Sequence, residues 1–483
     1  MTERLRPRDV AILAEESPST PMHNATVEIF EPGDSGFDHA ELVRLVQERL
    51  SFVPRYRQRV QPVPGGLANP VWVDDEHFDI GYHVRRSALP RPGSVDQLRE
   101  LVARIVSRPL DRSRPLWEMY VVEGLADGRV ALLSKSHQVL VDGIETVDLG
   151  QVLLDKSPEP RELGPDAWRA RSRPSPLALV AGAVHDSVTS SATVPATLRS
   201  TTGSVLRRVS STAHTAGHVV GVLTSRSPRS DSPILGPLSQ QRRFVVARTD
   251  LADYRTVRRA HGGSVNDVVL ATVTGALRAW LMTRGESMRG IRQVRAMAPI
   301  SVIDDELEAT SMGSQIAPHF VDLPVWEASP VVRLHQVSYS FQAHQETGRA
   351  VAASRLTSIS GFAPATFHAI GSRVATAERR RYQLSVTNVP GPQEPLYAAG
   401  ARMVATYPVP PLLDGHPLAI GVTSYDGSVY YGMTADHDQV PDADLLGPCI
   451  HEALDELLES ASGGRPRAPR GRKRPRPQSG EQR

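Results

Sequence analysis

The sequence predicts a mixed α/β protein of two lobes, and three observations carry that expectation. A chain of 483 residues suits two hydrophobic cores of ordinary size better than one. Strand-like stretches of period two are interleaved with helix-spaced ones on both sides of the middle, as in sheets covered by helices. Between them, residues 159–237 turn rich in Ser, Thr, Ala and Arg, with runs such as TSSAT and STTGS. The expected division is a first lobe over 1–158, a connector over 159–240, a second lobe over 241–462 and a tail over 463–483.

Composition narrows the class. Hydrophobic content of 40% and charged content of 22% are those of a soluble globular protein. The single Cys449 excludes a disulfide framework or a cysteine-rich metal site and fits a reducing compartment. No apolar run approaches the roughly 18 residues of a membrane helix. The apolar core of MTERLRPRDVAILAEESP is too short for a signal peptide, so the cytoplasm is the expected location. The tail contributes +7 to a net charge of +2, which leaves the remainder at −5. Rich in Pro and Gly, it reads as a disordered solubilising extension, with contact to anionic lipid or nucleic acid as the other reading. No nucleic-acid partner is expected for the protein as a whole.

The elements follow in order. A short helix over 9–16 leads through a Pro-bounded turn to a strand over 26–30. A helix over 37–50 buries Leu42, Val43, Leu45, Val46 and Leu50 on one side. PRYRQRV, at 54–60, precedes strands around Trp72 and over 82–86, and an amphipathic helix over 95–106 is joined by DRSRPLWEMY to a strand over 119–123. Residues 130–137 are apolar and then alternate, which turns Leu133, Lys135 and His137 to one side and Leu132, Ser134 and Ser136 to the other. His137 therefore ends a strand. Asp142 is a good N-cap for a helix running toward Leu154, with Glu145 completing a capping box. Spaced apolar residues in the connector allow one or two amphipathic helices, docked on the lobes or lying on lipid.

The second lobe opens with a strand from Arg242 and a helix over 251–260. Ser264 or Asn266 can cap the apolar helix over 268–281, and Asp267 suits its dipole. Strands over 295–302 and 316–322, and helices over 330–345 and about 363–377, come next. The strand from Leu384 ends in a rigid Pro-Gly turn, and strands over 419–424 and 429–434 flank an Asp426-Gly427 hairpin turn. Asp436, His437, Asp438, Asp442 and Asp444 crowd before a final helix over 449–458 but match no ligand spacing, so no metal site is expected.

The stretch KSHQVLVDG resembles the H-H-x-x-x-D-G active-site motif of CoA-dependent acyltransferases, and its flanks resemble the bacterial wax ester synthase/diacylglycerol acyltransferase family. Other family elements appear in the family's order. They are the opening Pro-x-Asp and Pro-Met-His, P-L-W at Pro115, Leu116 and Trp117, N-D at Asn266 and Asp267, and N-V-P-G-P running from Asn388 through Pro390 and Gly391. The resemblance extends from residue 5 to about 460. It implies two chloramphenicol acetyltransferase-like lobes, each a mixed sheet with helices, and a substrate tunnel between them. Acyl-CoA as co-substrate and a lipid alcohol would meet at His137 and Gln138, with no further cofactor and with peripheral contact to a membrane or lipid droplet. It also implies that Asp142 and Gly143 shape the turn, Asp142 structurally through an arginine, and that the other matched residues border substrate. Read without the resemblance, Leu116 and Trp117 fill a core, Asn266 and Asp267 start a helix, and His137 and His23 are ordinary core or turn histidines.

Two positions depart from the family pattern: Ser314 stands where Gly-Asn is usual, and Gln138 replaces the general-base histidine. An imidazole, with pKa near about 6.5, can take the proton of an attacking hydroxyl, which is worth roughly 10²- to 10⁴-fold. A carboxamide has no such basic lone pair. Three outcomes stay open: His137 serves instead, although a strand neighbour points to the opposite face; transfer persists through positioning alone or with a more nucleophilic acceptor; or the tunnel binds without reacting. The expected function is long-chain acyl transfer from acyl-CoA to diacylglycerol or a fatty alcohol, weakened by Gln138. The alternative is an inactive acyl-CoA- or lipid-binding relative.

Overall fold

The computed structural model describes residues 3–33, 37–140, 150, 153–161, 168–189, 232, 234–285, 294–301, 316–345, 368, 371–376 and 379–463. The first half comprises α1 (Pro7–Glu15), β1 (His23–Glu31), α2 (His39–Arg49), β2 (Gln58–Gln61), β3 (Val71–Asp74), α3 (Ile80–His83), β4 (Val84–Ala88), α4 (Val95–Val106), β5 (Trp117–Glu123), β6 (Val130–His137) and α5 (Pro176–Thr189). The second comprises β7 (Arg242–Asp250), α6 (Leu251–His261), α7 (Val265–Thr283), β8 (Val294–Ser301), β9 (Ile316–Leu323), α8 (Pro330–Gln345), β10 (Leu384–Pro390), β11 (Tyr397–Ala398), β12 (Ala401–Val409), β13 (Leu418–Tyr425), β14 (Ser428–Asp436) and α9 (Leu446–Ala461).

Among the described residues the architecture is two six-stranded mixed sheets with helices, each over its own core, and a small two-stranded sheet of β2 and β3, as the α/β two-lobe expectation requires. The first sheet runs β11-β12-β1-β6-β5-β4 and the second β7-β14-β13-β10-β8-β9. Alternating stretches became strands within a few residues of their expected ends, and the Asp426-Gly427 pair closes β13 onto β14 with positive φ at both positions, 43° and 77°. Ser264, rather than Asn266, caps α7: its hydroxyl accepts from Asp267 N while the Asp267 carboxylate accepts from Ser264 N. Helix α7 is apolar on nearly all sides, as its packing between α8, α9 and the sheet demands.

One feature of the topology carries no sequence signal. β11 and β12 come from the second half of the chain yet complete the first sheet, with β12 antiparallel to β1. At this crossing β12 lies on β13 and β14, where Gly421 and Gly432 face each other in register beneath Pro408. The first half is tied to the exchanged strands at Asp155, whose backbone exchanges two 2.8 Å hydrogen bonds with Tyr397. Its carboxylate meets the buried Arg49 guanidinium at 3.2 and 2.7 Å.

The acidic cluster near the last helix has structural work. Asp436 accepts from Ser239, Arg242, Asp438 N and Gln439 N, and Asp442 accepts from Trp280 Nε1. The helix expected after Asp142, the Gly313-Ser314-Gln315 turn, most of the connector, the tail beyond 463 and most of the 363–377 stretch lie outside the described residues.

Candidate active site

Strand alternation decides which side chains meet between the sheets. In β1 and β6, His23 is paired with His137 and Asn24 with Ser136. His23, Lys135 and His137 share one face: His23 Nε2 lies 3.0 Å from Val106 O, and the Lys135 ammonium donates to the carbonyls of Ile105 and Arg108. That face is covered by α4. Asn24, Thr26 and Glu28 of β1, Ser134 and Ser136 of β6, Trp117 and Met119 of β5, and Pro408 of β12 form the other face and border a cavity of about 600 Å³. A second cavity of about 470 Å³ shares Thr26, Glu28, Gly150, His368 and Pro408 with it. The two make one channel that changes in character along its length. It is polar near Ser134 and Ser136 and apolar where Leu154, Leu396, Met403 and Tyr425 close the far end. Its mixed lining of apolar walls and a few polar groups is that of a small-molecule site.

His137 and Gln138 lie beside this channel and are not among the residues that border either cavity. The imidazole is wholly buried. Val139 N–H donates to its Nδ1 at 3.2 Å, which places the ring proton on Nε2, 3.6 Å from Glu16 Oε1 and beyond hydrogen-bonding distance. Burial pulls the His137 pKa down, more than the facing Glu16 carboxylate raises it, so the ring is neutral near pH 7. Burial alone would raise Glu16, but the N–H edge of the facing ring and the Arg112 guanidinium, which donates to its Oε2 at 2.6 Å, outweigh it and hold the carboxyl down to about 2.

At Gln138 the strand ends in a short 3-10 turn, so the alternation that governs 130–137 no longer applies. The Gln138 N–H donates to Met22 O at 2.9 Å, its carbonyl accepts from Arg373 at 3.2 Å, and its side-chain Oε1 accepts from Thr376 Oγ1 at 3.3 Å. Arg373 also pairs with Asp9. Position 138 is thus clamped between α1 and the helical segment 371–376, and among the described residues its Nε2 has no hydrogen-bond partner.

The remaining expected residues are distributed as follows. Trp117 borders the channel, fixed by a 2.7 Å hydrogen bond from Nε1 to Tyr56 O and by His83 stacked at 4.6 Å. Pro115 and Leu116 are buried beside it, and Leu116 O accepts from His137 N at 2.9 Å, so P-L-W anchors the strand end. Asn266 and Asn388 are brought together by a 2.9 Å bond between their carboxamides, and Gly391 N donates to Ser424 Oγ, next to Pro392 on the apolar cavity. Asp267 is consumed by its cap and by Ser338, and Pro390 pairs with Ser424 in the parallel register of β10 and β13. Asp142 and Gly143 lie outside the described residues.

Sequence reasoning missed His368 and Asn24. His368 borders both cavities, with Nδ1 2.8 Å from Thr387 Oγ1 and Nε2 without a partner among the described residues. Both polar atoms of the Asn24 carboxamide are buried on the same channel without partners among the described residues. His368 carries no motif. Asn24 had a signal of its own, since it is in phase with Thr26 and Glu28 in β1.

A model described as the wax ester synthase/diacylglycerol acyltransferase catalytic domain matches residues 5–269, and the WS/DGAT C-terminal domain matches 312–458. Three relatives from Mycobacterium tuberculosis are each named "Probable diacylglycerol O-acyltransferase". The first, tgs3, is 41% identical over 260 residues, 53% of this chain and 96% of its own length. The second, tgs1, is 33% identical over 425 residues, 87% of this chain and 88% of its own. The third, tgs2, is 32% identical over 474 residues, 94% and 99% respectively. Among solved structures, a wax ester synthase/diacylglycerol acyltransferase from Marinobacter aquaeolei superposes with a TM-score of 0.66 at 24% identity, covering 95% of this chain and all of that one. The first condensation domain of the CDA synthetase shares the fold at a TM-score of 0.53 and 13% identity, with 96% of each chain covered.

Proposed function

Because the chain belongs to the wax ester synthase/diacylglycerol acyltransferase family, we propose that it moves an acyl group from acyl-CoA to the hydroxyl of a lipid alcohol, with diacylglycerol or a fatty alcohol as acceptor. The observation that carries this reading is the channel between the sheets, whose polar stretch suits a thioester and a hydroxyl and whose apolar end suits hydrocarbon. Trp117 borders it, Pro392 at the end of the turn begun by Pro390 and Gly391 borders its apolar part, Asn266 and Asn388 are bonded to each other just before that turn, and Asp267 holds the helix behind them. No cofactor beyond acyl-CoA enters the reaction.

Holding thioester and acceptor together supplies several kcal/mol of the barrier without any base. Gln138 cannot take a proton, so positioning carries more of the rate than in a chain with histidine there, and turnover is slow. The second reading, a relative that binds acyl-CoA or lipid without reacting, draws on the same Gln138. Among the described residues no helix is long and apolar enough to cross a membrane. In the proposed reaction the acceptor is reached by peripheral contact from the cytoplasm, at a membrane or lipid droplet.

Purified protein given long-chain acyl-CoA with diacylglycerol, fatty alcohol, amine or thiol acceptors separates the readings. Ester formed from the lipid alcohols is the expected result. Saturable acyl-CoA binding with no acylated product from any acceptor would replace the enzyme with the binder.

A further inference from the structure

The family position for a general base holds a carboxamide, and His137 faces α1 and α4 instead of the channel. If hydroxyl attack is assisted at all, the base comes from elsewhere. Among the described residues bordering the first cavity, His368 is the one histidine, contributed from the second half of the chain across from β1 and β6. It is about nine-tenths buried, at 8% exposure, and among the described residues its Nε2 has no hydrogen-bond partner. Its Nδ1 lies 2.8 Å from Thr387 Oγ1; a proton donated there leaves the lone pair on Nε2. Asn24, also at 8% exposure, borders the same cavity with a donor and an acceptor that have no partner among the described residues. Buried polar groups are rarely left unpaired, and two of them on one cavity point to a polar ligand group between them.

We propose that His368 is the general base of the transfer reaction, receiving the acceptor's proton on Nε2 while the Asn24 carboxamide holds the reacting oxygens. This rests on the acyltransferase reading above. The acceptor O–H bond breaks toward Nε2 as the oxygen bonds to the thioester carbonyl carbon. The C–S bond then breaks, and the CoA sulfur leaves with its electron pair and recovers the proton from Nε2. Neutral imidazole, ester and CoA thiol result, with no other reactant needed. Burial pulls the His368 pKa down to about 3, while the Val422 carbonyl favours the protonated ring. The ring therefore stays neutral and competent across the neutral range, yet it is a weak base. Its contribution belongs at the low end of general-base catalysis, about 100-fold.

The test compares the native full chain with His368→Gln, His368→Ala and Thr387→Val, using long-chain acyl-CoA and diacylglycerol. Expected are a fall in kcat of about 100-fold for His368→Gln with acyl-CoA affinity within about threefold of native, partial rescue of His368→Ala by added imidazole, and a fall of about tenfold for Thr387→Val. Rescue by imidazole is a readout that a purely packing role would not give. If His368→Gln transfers within threefold of native, or if folded His368→Ala ignores imidazole, the assignment is wrong while the enzyme reading stands. Absence of ester from the native chain itself overturns both. Should the His368 variants fail to fold, Thr387→Val decides alone: unchanged kcat overturns the proposal and a tenfold loss with intact acyl-CoA binding supports it.

Discussion

Replacing Gly432 with alanine is expected to destabilise the protein by about 3 kcal/mol or more, at the upper end of what overpacking costs. A Cβ there would lie 1.7 Å from Pro408 O and 2.9 Å from Pro408 C, which are backbone atoms of β12. That carbonyl cannot yield alone, because Pro408 is registered opposite Thr26 of β1 and β12 is stitched into the first sheet along its length. Relief requires shifting one sheet against the other. At Gly421, paired with Gly432 across β13 and β14, the nearest atoms are the Pro408 ring carbons at 2.8 and 3.0 Å. A ring can adjust where a carbonyl cannot, so Gly421→Ala is the milder change. Urea unfolding checks both through the midpoint at constant slope. A Gly432→Ala protein within about 1 kcal/mol of native would mean that the crossing is looser than the geometry requires. Pro408 also borders both cavities, so the variant should lose acyl transfer even under conditions where it stays folded.

Asp155→Ala should cost about 3–5 kcal/mol, the range for breaking a buried ion pair from one side. Arg49 is 0% exposed and Asp155 3%, and the two make a two-point contact at 3.2 and 2.7 Å. Removal of the carboxylate takes from the buried guanidinium a charged partner that holds it at two points. Arg161, largely exposed, also reaches Asp155 at 2.9 Å, but its own deletion is expected to cost under about 1 kcal/mol. The contrast between the two variants, read by chemical unfolding, isolates the buried pair. The Asp155 backbone is bonded to Tyr397 of β11, so the loss should appear first as detachment of the exchanged strands. Proteolysis near residues 397–409 is the local readout.

The elements were legible because their signals are local. The alternation over 130–137, the apolar spacing of α4 and α7, the caps at α7 and the Asp-Gly turn each need only a few neighbouring residues. The facing of His137 could also be read, since period two places it with Lys135 and away from Ser136. Strand partners could not. β12 announces itself as a strand, but nothing in ARMVATYPV says that it joins β1, more than 370 residues earlier, instead of its neighbours in sequence. The candidate site was legible only where a motif marks it. P-L-W led to Trp117, and N-D and N-V-P-G-P led to the Asn266–Asn388 contact, but the motif also drew attention to His137, which turns to the helices. His368 became visible only when folding brought it across from Asn24, because a single histidine in an Ala- and Ser-rich stretch has no pattern to distinguish it.

The central claim is that acyl transfer takes place in the channel on the Asn24 and Ser136 side of the first sheet. The most direct measurement is a crystal structure with a non-hydrolysable thioether analogue of a long-chain acyl-CoA. The account predicts the sulfur and the adjoining carbon between Ser136 and His368, with the hydrocarbon running toward Met403 and Tyr425. An analogue seated on the opposite face, with its sulfur against His137 and Glu16, would contradict it.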